Sequence, residues 1–327
     1  MKDSYRRRLS CLFLSSLLLL GSCFVSGCTK EDVSQTPESL APTQAATRVP
    51  AKTPTKAPAT SKPTAKPTVK PTAQTTANPT ATPTKTGKKY FTMSFDDGTV
   101  QDKRIIQILK KYKVDCVTFF INTGLYGAKW SWVGESAGMP DVHTRLTEAE
   151  IRSGIYKGYD VAVHTLTHPS LIDCENDKVR VLKEVGNDAT NIKSLTGIQP
   201  VGMAWPGVHP AYTKNLINTI VQGTTVRFAR TTKDTSSYRL PAAFMEWHPT
   251  CSMSSSMLMP LAKRFLKRTD TEDTLFYVWG HGYELDLYDL WDEFEALIKM
   301  MSEADNIILV SNTEFYKLYK NKIPSVA

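Results

Sequence analysis

Hydrophobic and polar positions follow two periodicities from Tyr90 to the C-terminus. Short apolar runs predict strands, and longer amphipathic stretches between them predict helices. Strands are predicted at 90–95, 114–121, 159–163, 201–204, 224–229, 274–279 and 306–310, and helices at 102–113, 147–158, 176–196, 211–221, 257–268, 288–304 and 313–320. This regular alternation predicts one parallel α/β domain, and the number of strands favours a barrel over an open sheet.

The first 89 residues lack this alternation. Lys2 and Arg6–Arg8 precede an apolar run at 9–20, a pattern typical of a secretory signal peptide. Small residues then lead to Cys28, which resembles the end of a bacterial lipoprotein signal, so residues 1–28 are predicted to be a signal with a lipid-modified cysteine. Residues 29–89, rich in Thr, Pro, Ala and Lys, are predicted to be a disordered linker. These segments predict an extracellular protein anchored to the membrane at the cell surface, with simple secretion as the alternative.

Charge and cysteine content divide at the same boundary. Residues 1–89 carry 14 basic and 4 acidic side chains, whereas residues 90–327 carry 26 and 28. The net charge of +8 therefore belongs to the signal and linker, and no nucleic-acid partner is expected for the folded part. Its cysteines, Cys116, Cys174 and Cys251, are widely spaced and predict neither a disulfide framework nor a zinc cluster.

Ionisable side chains follow three of the predicted strands. Asp96 and Asp97 come after the first strand, His164 and His168 after the third, and His281 after the sixth. If the turn after the third strand is helical, both histidines lie on one side. With one carboxylate from the first strand, they predict a two-histidine, one-carboxylate metal site that leaves positions open for water and substrate. A turn capped by aspartate and a pair of surface histidines are the alternatives.

These residues resemble the motifs of a known family. The segments 94–98 (SFDDG) and 164–168 (HTLTH), followed by a late strand that ends in His281, look like the polysaccharide deacetylases of carbohydrate esterase family 4, the chitooligosaccharide deacetylase homology domain. The resemblance implies a distorted (β/α)7-type barrel, a single catalytic domain at 90–327, and a divalent metal. Zinc is the usual ion, with cobalt or nickel as alternatives.

The resemblance also implies a role for each motif residue. Asp97, His164 and His168 would hold the metal, Asp96 would be the general base and His281 the general acid. Amide hydrolysis needs a nucleophilic water at neutral pH, and a bound metal supplies it by lowering the pKa of that water to about 7. The expected reaction removes N-acetyl groups from a cell-wall or chitin-like polysaccharide. An O-acetyl (xylan) esterase and a catalytically weak surface glycan-binding protein are the alternatives.

The chain departs from the family pattern in two motifs. The third motif usually reads Phe-Arg-x-Pro-Tyr-Gly, but residues 203–207 read MAWPG, so Ala204 stands where an arginine is expected to pair with the base. Arg227 or Arg230, near the end of the next strand, is predicted to replace it. The fourth motif, which usually supports the catalytic histidine, is not recognisable, and Asp286 is a candidate for that role.

Tryptophans are the candidates for binding the glycan. Trp205, Pro206, Trp247 and Trp279 are predicted to contact the substrate, and the loop tryptophans at positions 130 and 132 are further candidates. Packing in the core is the alternative for each of these rings.

Overall fold

The computed structural model describes residues 86–327. The predicted signal peptide, the lipid-modified Cys28 and most of the predicted linker lie outside the described residues. Within 86–327, no helix combines the length and apolar character needed to cross a bilayer.

Strands and helices alternate through this part of the chain. The strands are β1 (Lys89–Asp97), β2 (Val117–Ile121), β3 (Asp160–Val163), β4 (Gly202–Ala204), β5 (Phe228–Arg230), β6 (Cys251–Ser252), β7 (Thr274–His281) and β8 (Ile308–Leu309). The α-helices are α1 (Asp102–Lys111), α2 (Glu148–Arg152), α3 (Lys178–Thr196), α4 (Lys214–Gly223), α5 (Leu258–Lys267), α6 (Gly282–Leu287), α7 (Trp291–Ser302) and α8 (Asn312–Tyr319). Short 3₁₀-helices lie at Ser131–Val133, Glu135–Ala137 and Phe244–Glu246.

All strand pairings are parallel, in the order β5-β4-β3-β2-β1-β7-β6, and β8 pairs with the first residues of β1. The segment 247–252 joins the two ends of this order, because it contains β6 and also contacts β5. Trp247 N donates to Ala229 O of β5 at 3.0 Å, and Cys251 pairs with Val278 of β7. The sheet therefore curls on itself, which confirms the predicted distorted (β/α)7-type barrel.

Side chains of the strands alternate between two hydrophobic clusters. In β1, Phe91, Met93 and Phe95 belong to the larger cluster, which also contains the buried apolar residues of α1–α7. Tyr90 belongs to a second cluster with inward-facing residues of β2, β3, β4, β5 and β7. Since successive residues of a strand point to opposite faces, Asp96 has the same orientation as Tyr90 and points into the barrel.

The structure differs from the sequence-based expectation at several boundaries. β6 and α6 were not predicted, because two and six residues are too few to establish a periodic pattern. Lys89, assigned to the linker, is the first residue of β1, and β5 extends to Arg230. The three cysteines of the described part are buried free thiols.

Candidate active site

The strand ends converge at one edge of the barrel, because the strands are parallel. Asp96 of β1 is the register partner of His281 of β7, and Ala204 of β4 is the register partner of Arg230 of β5. His164 directly follows β3, at the same edge. Strands β3, β4, β5 and β7 thus carry the residues that surround the carboxylates of β1, namely His164, Ala204, Arg230 and His281.

Asp97, His164 and His168 form a group that fits a metal ion. One ligand atom from each lies within 4.8 Å of the others, and Asp97 Oδ1 is 3.7 Å from His164 Nε2 and 3.9 Å from His168 Nε2. His164 Nδ1 donates to Ala204 O at 3.1 Å, which leaves the buried Nε2 atom without a hydrogen-bond partner among residues 86–327. An accepting nitrogen that is buried and faces a carboxylate is the arrangement a metal ligand requires.

Burial keeps the two imidazoles neutral. Desolvation lowers the pKa of His164, and it lowers the pKa of His168 to about 3. Only neutral imidazole binds a metal, so both side chains are in the required state at neutral pH. Two imidazoles and a carboxylate suit zinc, and they also accept cobalt or nickel.

The turn that carries the histidines is not helical, which corrects the expectation from their spacing. Thr165 and His168 have φ values of 65° and 55°, in the left-handed region. The Asn122 amide donates to the carbonyl oxygens of His164 and Thr165, and Glu184 accepts from Thr167 N at 2.8 Å. These contacts hold an unfavourable backbone conformation that turns both rings toward Asp97.

Two buried side chains hold the Asp97 carboxylate. His143 Nε2 donates to Oδ2 at 2.8 Å, and Arg145 Nη2 donates to Oδ1 at 3.0 Å. Burial raises the pKa of Asp97, but the hydrogen bond from His143 and the positive charges of His281 and Arg145 hold the pKa well below its ordinary value. Sequence reasoning missed both residues, because they lie in a loop 46 and 48 positions away with no local pattern.

Arg230 contacts the second carboxylate of β1. Its guanidinium is fully buried and donates from Nη2 to Asp96 Oδ2, whereas Oδ1 has no hydrogen-bond partner within the described residues. Arg227, the other predicted candidate, donates instead to carbonyl oxygens of its own turn. Arg230 therefore supplies the cation expected at Ala204, from the register-paired position on the neighbouring strand.

His281 lies on the β7 side of Asp96 and is held by Glu284. Its Nε2 is 4.0 Å from Asp96 Oδ2, and its Nδ1 is 3.3 Å from Glu284 Oε1. Glu284 Oε2 also accepts from His281 N at 3.2 Å. Burial lowers the pKa of His281, but the charges of Glu284, Asp97 and Asp96 outweigh it and raise the pKa to about 9.

The carboxylate that contacts His281 belongs to Glu284 and not to Asp286, which the sequence had suggested. The Asp286 carboxylate accepts from Gln101 Nε2 and Trp291 Nε1, both at 2.8 Å, and thus ties α6 to α1 and α7. The three-residue spacing between His281 and Glu284 at a helix start is a local signal that would have indicated the correct acid.

Most of the predicted glycan-binding residues are in the core. Trp205 and Trp247 are each 1% exposed, and Pro206 is buried, so these rings offer no open face to a sugar. Their burial corrects the predicted role. Trp279 is half-buried and borders the site, with its ring 4.5 Å from the Arg230 guanidinium carbon and 5.7 Å from the His281 ring.

Residues 84–223 match the family model described as polysaccharide deacetylase. The match includes β1–β4, and therefore Asp96 and the candidate metal ligands Asp97, His164 and His168, and it ends before Arg230 and His281. No curated protein matches the chain. The match supports the polysaccharide deacetylase family for the part of the barrel that carries the candidate metal ligands.

Several solved structures are similar in fold. A family 4 acetyl xylan esterase from Clostridium thermocellum, in complex with a cobalt ion, matches at 16% identity and a TM-score of 0.45, over 73% of this chain and 94% of that chain. The deacetylase PplD from Streptococcus pyogenes, in complex with acetate, matches at 17% identity and a TM-score of 0.37, over 48% and 62% of the two chains. The Xyl-CE4 domain of a xylanase from the hindgut metagenome of Trinervitermes trinervoides matches at 14% identity and a TM-score of 0.43, over 73% and 95%. Similarity at this level adds no argument about activity.

Proposed function

We propose that this chain is a metal-dependent hydrolase of the polysaccharide deacetylase family that removes N-acetyl groups from a cell-wall or chitin-like glycan. The carrying observation is the group formed by Asp97, His164 and His168, whose ligand atoms lie within 4.8 Å of one another beside Asp96 and His281. Zinc is the proposed ion, with cobalt or nickel as alternatives.

The residues around this group have complementary tasks. When bound, the ion would lower the pKa of a water molecule and polarise the acetyl carbonyl. Asp96 accepts the proton of the attacking water on Oδ1, the oxygen without a partner in residues 86–327, while Arg230 holds Oδ2. His281 donates a proton from Nε2 to the leaving nitrogen, so the carbon–nitrogen bond breaks to give acetate and a free amine.

The contact between His281 and Glu284 supplies the acid that an amide substrate would need. An amine leaves only when it is protonated, so amide cleavage needs an acid that stays protonated at neutral pH. The raised pKa of His281, about 9, meets this need. The contact of Arg230 with Asp96 also removes the main argument for a catalytically weak binding protein, which was the missing arginine.

The test is acetate release by the full-length protein from N-acetylglucosamine oligomers, peptidoglycan and acetylated xylan. We expect release from an N-acetylated glycan, loss with a chelator, recovery with zinc, and no release by Asp96→Asn. The matched control is Asp305→Asn, an exposed carboxylate remote from the site. Release from acetylated xylan alone would replace the amide substrate with an ester, and metal-independent release would contradict the proposal.

We also propose that the protein is extracellular and anchored to the membrane by a lipid on Cys28, on the basis of the lipoprotein-like signal. Cys28→Ser should move the protein from the membrane fraction to the medium. An unchanged membrane fraction would contradict the anchor.

A further inference from the structure

Three stacked rings connect the metal site to the protein surface. Trp130 lies parallel to His143, with ring centroids 4.9 Å apart and 7° between the planes, and Trp132 stacks on Trp130 at 5.9 Å and 27°. Exposure increases along this aromatic stack. His143 is 1% exposed, Trp130 is half-buried, and Trp132 is 68% exposed.

The aromatic stack is fixed to the residues that hold the metal ligands. Trp130 meets the ring of His168 edge to face at 5.2 Å, and the Arg145 guanidinium carbon lies 3.9 Å from the Trp130 ring. His143 and Arg145 are the two side chains that bond Asp97. The backbone is also tied down, since Trp130 N donates to His143 O and Arg145 N donates to Ala128 O, each at 3.0 Å. The exposed Trp132 ring thus stacks on Trp130, whose position next to the proposed reaction centre is held by these contacts.

The position and the surroundings of Trp132 suit an extended substrate. The Trp132 ring contacts the Trp130 ring at 5.9 Å, and the Trp130 ring contacts the His168 ring at 5.2 Å. A short oligosaccharide can span the distance from Trp132 to His168. Lys129, Ser131 and Glu135 beside it are exposed and polar. A flat apolar face with polar groups at its rim complements a pyranose ring, which presents C–H bonds on its faces and hydroxyl groups at its edge.

We propose that Trp132, supported by Trp130, is a binding subsite for a pyranose ring of the glycan, a few sugar units from the unit that loses its acetyl group. This inference rests on the proposed function for the identity of the substrate. It adds a reason for the enzyme to prefer oligomers and polymers over short substrates. It also gives a role to a large apolar side chain that is exposed and stacked on Trp130.

The test compares Trp132→Ala and Trp132→Phe with the unaltered full-length protein. On the N-acetylglucosamine pentamer we expect Trp132→Ala to lower kcat/KM about 2- to 10-fold, mainly through KM, and Trp132→Phe to retain most of the activity. On the dimer, neither substitution should change kcat/KM. Leu318→Ala, which alters another exposed apolar side chain on α8, is the control. Equal losses on dimer and pentamer, or no loss on either, would overturn the subsite.

A binding measurement separates this inference from the proposed reaction. Calorimetric titration of the inactive Asp96→Asn variant with the pentamer and with xylohexaose reports binding without turnover. Weaker binding after adding Trp132→Ala supports the subsite even if no acetate is released from any substrate. Binding that is unchanged by Trp132→Ala, or undetectable for both oligosaccharides in the Asp96→Asn variant, would overturn it even if the protein is an active deacetylase.

Discussion

Glu284→Gln should shift the alkaline limit of activity to lower pH. His281 is the proposed acid, and it must be protonated to donate, so activity falls as the pH rises through its pKa. The groups that face His281 are Glu284 at 3.3 Å, Asp96 at 4.0 Å and the ring of Tyr283 at 5.0 Å. Burial opposes protonation, and Glu284 is the largest of the charges that overcome it and raise the pKa from 6.5 to about 9.

The size of the shift follows from the contact that is changed. Glutamine keeps one acceptor oxygen, which can still accept from His281 Nδ1 and orient the ring, while the negative charge and the acceptor for His281 N are lost. A hydrogen bond to a charged group contributes about 1.5–3 kcal/mol, and one pKa unit corresponds to about 1.4 kcal/mol. The alkaline limb should therefore move down by about one to two pH units. The activity on its acid side should change little.

The assay is the pH profile of kcat/KM for acetate release, with the His281 ring titrated in parallel by NMR. Glu284→Ala, which removes both the charge and the hydrogen bonds, should show the same shift and also a lower maximum. An alkaline limb at the same pH in Glu284→Gln and the unaltered protein would refute the assignment of Glu284. A changed maximum without a shift would indicate that Glu284 acts on geometry alone.

Three further perturbations test other contacts. Arg230→Ala should lower kcat/KM about 10- to 100-fold without loss of bound zinc, because it removes a charged hydrogen bond to the proposed base. Arg227→Ala is the control and should have little effect, and equal effects of the two substitutions would contradict the assigned contact. Zinc at 100 times its Kd should raise the free energy of unfolding, measured in denaturant, by about 2.7 kcal/mol. His168→Ala should abolish this increase, and an increase that persists in the variant would exclude His168 as a ligand. Gly202→Ala should destabilise the fold by about 1–3 kcal/mol, because the new Cβ would lie 1.9 Å from a phenyl carbon of β5. Gly186→Ala in α3 should stabilise the fold by about 0.5–1 kcal/mol, because the atom nearest to the new Cβ is 4.0 Å away. Opposite signs of these two changes in thermal unfolding would contradict the packing.

The carboxylates and histidines of the site could be predicted from the sequence because their signals are local. Asp96, Asp97, His164 and His281 each come at or after the end of an apolar run that reads as a strand. Parallel topology places such strand ends at one edge, so the approximate meeting of these groups follows from the alternation of strands and helices. The predicted barrel was correct for the same reason, although the two-residue strand β6 left no pattern to detect.

The partners of the two aspartates could not be assigned from the sequence, which offered only the choice between Arg227 and Arg230 for Asp96, because these contacts join residues far apart in the chain. Arg230 reaches Asp96 across 134 positions, and Arg145 reaches Asp97 across 48. Neither pairing has a periodicity or a spacing rule, since each depends on how the barrel curls and on the path of the loop after β2. Burial of individual tryptophans depends on the same packing, which is why Trp247 lies in the core and Trp132 at the surface.

Local patterns of apolar and polar residues were thus enough to establish all but the shortest strands and helices, the parallel barrel and the ionisable groups at the strand ends. The tertiary structure was needed to assign a partner to each of these groups. It pairs Asp96 with Arg230 and Asp97 with His143 and Arg145, and among residues 86–327 it leaves His164 Nε2 without a hydrogen-bond partner. The physical reason is that periodicity reports the environment of a residue along its own strand or helix, whereas hydrogen bonds and ion pairs form between strands and loops that only folding brings together.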